Sequence, residues 1–276
     1  MSKIIETIDY FAAGSCSSHL QRMFKGVPKK KISFPAGVFL LKHRSKGYIL
    51  YDTGYSPAIQ KPSLKYWCYG LATPVTMKSG DRIDLLLQEN GLVPDDISYI
   101  ILSHLHPDHL GGAAFFPKAR FILTQAVFDR YQKRRLKDLI FREFLPADFD
   151  SRLEVVEPQQ VEAAFLYRKT VDLFGDGSIY LASVDGHAAG QGCLFLPEYN
   201  LFIAADLCWG VDLLPYTEQM RLLPSLVQDS KQDYLAGVAL LRRLLADNHQ
   251  VLVSHDPTER VKEVLHASRN FSENFY

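Results

Sequence analysis

The segment Ser103-His104-Leu105-His106-Pro107-Asp108-His109-Leu110-Gly111-Gly112 places three histidines and an aspartate within six positions. An ordinary core would not gather them, because each would need its own polar partner away from water. Neutral imidazoles and a carboxylate are ligands suited to zinc and similar divalent metals. Three further candidates stand alone in the chain. His187 lies in the glycine-flanked stretch Val184-Asp185-Gly186-His187-Ala188-Ala189-Gly190, Asp206 ends the run Leu201-Phe202-Ile203-Ala204-Ala205, and His255 lies in Val253-Ser254-His255-Asp256. His19, His43, His249 and His266 have no clustered context and are read as structural or surface groups.

Each candidate donor follows an apolar run and so stands at a strand end, where a rigid scaffold presents site residues; taken alone, His187, Asp206 and His255 fit a structural role equally well. Ser98–Leu102 reads as a buried strand leading into the histidine motif, and the Gly111-Gly112 pair lets the backbone after it turn closely. Ile4–Tyr10, Gly37–Leu41, Phe121–Leu123, Ser178–Val184, Gly192–Leu196, Leu201–Ala205 and Val251–Val253 also read as strands. Tyr48–Tyr51 is a strand running into the tight turn Asp52-Thr53-Gly54. Asp81–Asn90, with Ile83, Leu86 and Leu87 on one face and Gly91 as its stop, reads as a helix. Lys231–Ala246 and a segment from about Thr258 read likewise. Gln125–Phe149, rich in Arg, Lys and Phe, is expected to be a helical insertion. Pro57–Met77, with Tyr66, Trp67 and Tyr69 at no clear period, is expected to be an aromatic loop, either over a site or with its aromatics packed back on the core. Strands in both halves with helices among them predict two packed sheets covered by helices, in one domain spanning residues 1–276.

Composition narrows the classes. Across 276 residues, 47% hydrophobic and 22% charged is the balance of a globular protein, which excludes a disordered or fibrous chain. Lys+Arg and Asp+Glu are 31 each, so nothing builds the basic field that nucleic-acid binding needs. Cys16, Cys68, Cys193 and Cys208 show no CxxC spacing and fit free thiols in a reducing compartment. Glu6 and Asp9 interrupt any leader-like apolar run, and no stretch is long enough to span a membrane. The expected location is the cytoplasm. The residues set no oligomeric state, a homodimer being one option.

The order HxHxDH, then a distant His, an Asp and a last His resembles the metallo-β-lactamase superfamily. Its pieces stand here as His104, His106, Asp108, His109, His187, Asp206 and His255, and the Asp52-Thr53-Gly54 turn is also similar. The likeness covers nearly the whole chain and implies a four-layer αββα sandwich with two metals at one edge of the sheets. Within the superfamily the chain most resembles the N-acyl homoserine lactonase and pyridoxolactonase-like branch, some of whose members quench quorum sensing. Tyr10-Phe11-Ala12-Ala13-Gly14-Ser15-Cys16 looks like that branch's opening strand and loop, and Ser254-His255-Asp256 like its last metal loop. His187 lies 78 positions after His109, Asp206 a further 19 and His255 a further 49, leaving room for the insertion. Glyoxalase II-like thioesterases share the motif but carry a helical C-terminal domain, for which the 21 residues after His255 leave no room. Superfamily β-lactamases usually have cysteine where Asp206 stands.

The resemblance assigns His104, His106 and His187 to one metal and Asp108, His109 and His255 to the other, with Asp206 bridging. The cofactors implied are two divalent metal ions, zinc first, with Mn, Fe or Co also suited to the ligand types. A metal-bridging hydroxide would attack the carbonyl of a small-molecule lactone or related ester, with Asp108 taking part in proton transfer. Lactonases of this branch place a substrate-facing tyrosine three residues after the bridging aspartate, where this chain has Trp209. An indole N–H can donate a hydrogen bond but neither accepts one nor titrates. Trp209, Tyr216, Trp67 and Tyr66 are therefore the candidate substrate contacts. The alternatives are a thioesterase or phosphodiesterase on the same site, or a binding or regulatory protein that retains the metals with little turnover.

Overall fold

A computed structural model of the chain describes residues 3–133, 135–159 and 169–273. Among the described residues twelve strands form two sheets. The first sheet comprises β1 (Ile5–His19), β2 (Lys31–His43), β3 (Gly47–Tyr51), β4 (Val75–Thr76), β5 (Ile97–Ile101), β6 (Arg120–Thr124) and β7 (Leu153–Val156), in the spatial order β4-β1-β2-β3-β5-β6-β7. The second comprises β8 (Thr170–Asp172), β9 (Tyr180–Val184), β10 (Gln191–Leu196), β11 (Leu201–Ile203) and β12 (Gln250–Leu252), in the order β12-β11-β10-β9-β8. The α-helices in chain order are α1 (Leu20–Met23), α2 (Leu64–Ala72), α3 (Ile83–Glu89), α4 (Pro107–Leu110), α5 (Gln125–Gln132), α6 (Leu222–Leu226), α7 (Lys231–Ala246) and α8 (Thr258–Glu273).

The central strands are buried on both faces, and their alternate residues serve different layers. Phe39 and Leu41 of β2, Ile101 of β5 and Ile122 of β6 meet Leu194 and Leu196 of β10, Leu201 and Ile203 of β11 and Leu252 of β12 in the core between the sheets. Their neighbours Val38, Leu40, Ile100, Phe121 and Leu123 face outward, onto Tyr69 of α2, Ile83 and Leu87 of α3 and Val127 of α5. On the far side, Cys193, Phe195 and Phe202 face Tyr234, Val238, Leu241 and Leu244 of α7. The result is the expected αββα layering.

Topology decides which strand ends meet. Strands β3, β5, β6 and β7 are parallel. In the second sheet β10 is antiparallel to both β9 and β11, and β12 is parallel to β11, so β9, β11 and β12 point the same way. Every donor in the candidate site follows the C-terminal end of one of these strands.

Several expectations change. The first strand continues past Tyr10 to His19, its register with β2 shifting between Ala12 and Ser15, around Gly14 at φ +85°. The aromatic segment expected as a loop contains helix α2. Its helical period was hidden because Leu64, Trp67 and Leu71 are 77%, 62% and 64% exposed, so apolar residues occupy the solvent face where polar ones would mark it. The expected helical insertion is α-helical over Gln125–Gln132 alone, then continues through 3₁₀ turns at Leu136–Asp138, Arg142–Phe144 and Phe149–Arg152. Position 134 of that segment lies outside the described residues. No helix among the described residues is long and apolar enough to cross a membrane.

Candidate metal centre

Strand β5 ends at Ile101, and the chain turns through Ser103 and His104 into α4, whose first residue is Pro107. Proline suits that position because its missing N–H would be unpaired there in any case. The short helix places Asp108 and His109 on successive positions, both buried. Thr53, in the turn after β3, clamps it: the Thr53 N–H and hydroxyl both donate to the His109 carbonyl, at 2.7 and 2.8 Å. Gly112 N donates back to Thr53 Oγ1 at 3.1 Å. His187 follows β9, Asp206 follows β11 and His255 follows β12.

The donors fall into three overlapping groups, each with its ligand atoms within 4.8 Å of one another: His104, His106 and His187; His104, His109 and Asp206; and Asp108, His109 and His255. In the first group His106 Nδ1 is 3.0 Å from both His104 Nε2 and His187 Nε2. In the third, Asp108 Oδ2 is 3.7 Å from His109 Nε2 and 3.5 Å from His255 Nε2. Asp206 lies between: Oδ2 is 3.3 Å from His187 Nε2 and 3.1 Å from His255 Nε2, while Oδ1 is 3.5 Å from His109 Nε2.

The outer nitrogens of these imidazoles are tied down. His109 Nδ1 is 2.8 Å from Asp52 Oδ2. Asp52 also accepts from the Ser103 N–H and hydroxyl, both at 2.8 Å. The Ser103 hydroxyl is in turn 3.0 Å from His104 Nδ1. His187 Nδ1 meets Gln228 Oε1 at 2.9 Å, and His255 Nδ1 meets the Pro35 carbonyl at 2.7 Å. Such partners fix which nitrogen faces inward and how the ring is turned. Asp52, Ser103 and Gln228 were not singled out as site residues from the sequence. Asp52 was visible only as part of a turn, and nothing local to Gln228 signals its contact 41 residues away.

Charge follows from burial and neighbours. Burial and then the surrounding imidazoles hold His104 and His106 well below the usual histidine range, and burial lowers His187 too. These are neutral rings with lone pairs to give. Burial would also lower His109 and His255, but the carboxylates around them, Asp206 and Asp108 for both and Asp52 for His109, together outweigh it, holding His109 well above the usual range and His255 at about 9. Burial would raise Asp206, yet His255 and His109 keep it well below the usual carboxylate range. The site thus balances a buried carboxylate with protonated histidines, and a bound cation would take over that role by displacing protons. The fit is testable on two atoms: His109 Nε2 and Asp206 Oδ1 are buried with no hydrogen-bond partner among the described residues. They face each other at 3.5 Å without a hydrogen bond, and buried polar atoms left without one are costly and call for an explanation. A cation between them supplies one, and the seven donors are of the types zinc takes.

The sequence-derived substrate contacts are less tightly grouped. Trp209 is half-buried, edge-on to His187 with ring centroids 6.4 Å apart, and packs on Phe24 and Tyr234. Tyr216 packs partly buried in the same cluster. Tyr66 stacks on Phe144 at 5.6 Å and donates to Glu143 at 2.6 Å, while Trp67 faces solvent. None of the four lines the cleft that opens at His104, His106 and His187. That cleft runs between α5 and the segment Leu226–Asp229, past Val127, Ile140, Arg130 and Lys137. Tyr69, expected in a loop, is buried on α2, its hydroxyl 3.1 Å from that of Tyr55.

Residues 35–248 match the family model for the metallo-beta-lactamase superfamily. The chain belongs to this superfamily. Among curated relatives it is 34% identical over 118 residues to an N-acyl homoserine lactonase of Bacillus cereus, a match covering 41% of this chain and 46% of that one. It is 26% identical over 249 residues to the N-acyl homoserine lactonase AttM of Azorhizobium caulinodans, covering 88% and 89% of the two chains. The chain spans less than half the length of the Bacillus cereus relative and nearly all of AttM. Among solved structures, a Bacillus thuringiensis AiiA mutant with N-decanoyl-L-homoserine bound superposes with a TM-score of 0.70 at 19% identity, covering 94% and 96% of the chains. At that identity the likeness speaks for the fold, and it matches the superfamily's two-sheet architecture.

Proposed function

We propose that this protein is a dinuclear-metal hydrolase that opens lactones or cleaves related esters. The observation that carries the reading is Asp206, whose Oδ2 lies within 3.3 Å of a donor from each histidine set. His104, His106 and His187 would hold one divalent cation, and Asp108, His109 and His255 the other. Asp206 supplies the negative charge that lets two cations sit together. Zinc suits this imidazole and carboxylate set best. When bound, such a pair supplies Lewis acidity, polarising a carbonyl oxygen and making water nucleophilic at neutral pH.

The protein's own groups do the rest. Asp52, Gln228 and the Pro35 carbonyl keep three imidazoles turned inward, so no reorganisation is needed as charge develops. Asp108 Oδ2 faces His109 and His255, which leaves Oδ1 to carry a proton from the attacking water to the leaving alkoxide. Leu105, Val127, Ile140 and Val227 line the cleft and would shield an acyl arm from water. The lactonase names of the curated relatives support N-acyl lactones as the first substrates to try. Four free thiols support a reducing compartment, the cytoplasm.

The test is a hydrolysis panel of lactones, thioesters, aryl esters and phosphodiesters on protein of measured metal content. The expected result is turnover of lactones or aryl esters that chelator abolishes and zinc restores. Preference for thioesters or phosphodiesters would move the assignment to those classes. Stoichiometric metal with no turnover of any member would favour a metal-retaining binding protein.

A further inference from the structure

One wall of the cleft carries two cations and two carboxylates, and a third cation, Arg135, which is not in the lining, pairs with both carboxylates. Arg130, Lys137, Asp138 and Asp229 line the same cleft as His104, His106 and His187. Arg130 Nη2 is 2.6 Å from Asp229 Oδ2, and its Nη1 is 3.7 Å from Asp138 Oδ1. Arg135 Nη2 reaches Asp229 Oδ1 at 2.8 Å and Asp138 Oδ1 at 2.9 Å. Among the described residues Lys137 Nζ reaches Asp229 Oδ1 alone, at a long 3.4 Å, on an oxygen that already accepts from Arg135. Three cations thus share two carboxylates. Both arginines have a short contact and Lys137 does not; its side chain is 53% exposed at the cleft. An ammonium carries three donors, so most of its hydrogen-bonding capacity and one unit of charge are left over. Apolar side chains of Val127, Ile140, Leu226 and Val227 line the same cleft.

We propose that the cleft selects esters or lactones whose acyl arm ends in an anionic group, a carboxylate or a phosphate, with Lys137 as the residue that reads the charge. The inference rests on the hydrolase reading for the ester at the histidine end, and adds what lies at the other. An arm with an apolar middle and an anionic tip matches a cleft with apolar walls and an unspent cation. A purely alkyl arm of the same length would leave that ammonium facing hydrocarbon. The interaction lies at a partly exposed rim, so it acts mainly on binding and weakens with salt.

The test uses zinc-loaded full-length protein and a matched series: N-hexanoyl homoserine lactone, its N-adipoyl counterpart with a carboxylate in place of the terminal methyl, and a third carrying a phosphate there. The expected result is a kcat/KM ratio of anionic over neutral substrate of about tenfold or more at low ionic strength, expressed mainly in KM and shrinking as salt is added. Lys137→Ala should lower that ratio by about tenfold and Lys137→Glu should lower it further. Whichever anion gives the larger ratio identifies the tip. A ratio near one, or a ratio that Lys137→Glu leaves unchanged, overturns the proposal while leaving the hydrolase reading in place. Calorimetric binding of adipate and of inorganic phosphate to wild type and Lys137→Glu provides an arm independent of turnover. Binding weakened in the variant with no lactone or ester hydrolysed would sustain the anion-selective cleft and sink the hydrolase reading. Equal binding of adipate by both proteins would overturn the cleft assignment itself.

Discussion

Gln228 Oε1 lies 2.9 Å from His187 Nδ1, and both side chains are buried. The next residue, Asp229, donates its backbone N–H to the His187 carbonyl at 3.1 Å and carries the ion pairs to Arg130 and Arg135. The segment that orients a candidate metal ligand is therefore also the one that anchors the charged wall of the cleft.

Gln228→Ala removes the acceptor that fixes the His187 ring. Affinity for one of the two metals should fall by about 10- to 100-fold, the usual cost of losing a partner behind a ligand. Gln228→Glu, which keeps an acceptor at the same reach, should retain most of it. Competition titration against a chromogenic chelator reads the difference, and equal affinity in all three proteins would show that Gln228 only packs.

Metal removal should cost stability as well as activity. Protein purified without chelator should contain close to two equivalents by elemental analysis, as two donor sets require. Chelated protein should unfold at lower temperature, since a ligand present at about 100 times its Kd stabilises by roughly 2.7 kcal/mol. A metal-free preparation with unchanged melting and activity would contradict the assignment.

Asp206→Asn keeps the shape of the side chain and removes its charge. The donors of both sets then lose the anion that lies between them. Loss of one metal equivalent and a rate at least about 100-fold lower are expected, on the scale of losing a preorganised electrostatic group. Full activity with both metals retained would remove Asp206 from the bridging role.

Trp209 stands edge-on beside His187. Trp209→Ala should leave metal content intact and lower kcat/KM for the best substrate by roughly 10- to 200-fold, the range of one apolar contact. Trp209→Tyr should raise activity toward simple acyl lactones if a phenol hydroxyl is what the site lacks. If neither variant changes the ranking of a lactone, thioester and aryl-ester panel, the indole is packing only.

Gly111 is needed for space. Its φ is not positive, yet an added Cβ would lie 2.4 Å from Ser56 N and 2.6 Å from Gly54 O, both rigid backbone. Gly111→Ala should therefore force α4 away from the Asp52–Ser56 turn and destabilise the fold by about 1–3 kcal/mol in denaturant unfolding. Loss of the second metal should accompany it, because His109 is carried on α4 and clamped through Thr53.

The donor types and the strands before them were legible in the chain. HxHxDH packs four ligand groups into one turn, and the runs before His104, His187, Asp206 and His255 are apolar enough to be buried strands. Alternation within those strands accounts for the layering, since successive residues must face different layers. The period of α2 was not legible, because its exposed positions are apolar, nor was the 3₁₀ path after Gln132. Whether the seven donors meet depended on the packing of the two sheets: His109 and His187 are 78 positions apart, and the loops after β5, β9, β11 and β12 carry the donors to one place. The partners behind the ligands were decided in the same way. Asp52 reaches His109 across 57 positions, Gln228 reaches His187 across 41 and Pro35 reaches His255 across 220. Local sequence carries ligand chemistry because donor types and strand propensity are properties of short segments. Ring orientation, buried charge balance and the charged wall of the cleft arise from groups distant in the chain, so only the packed structure decides them.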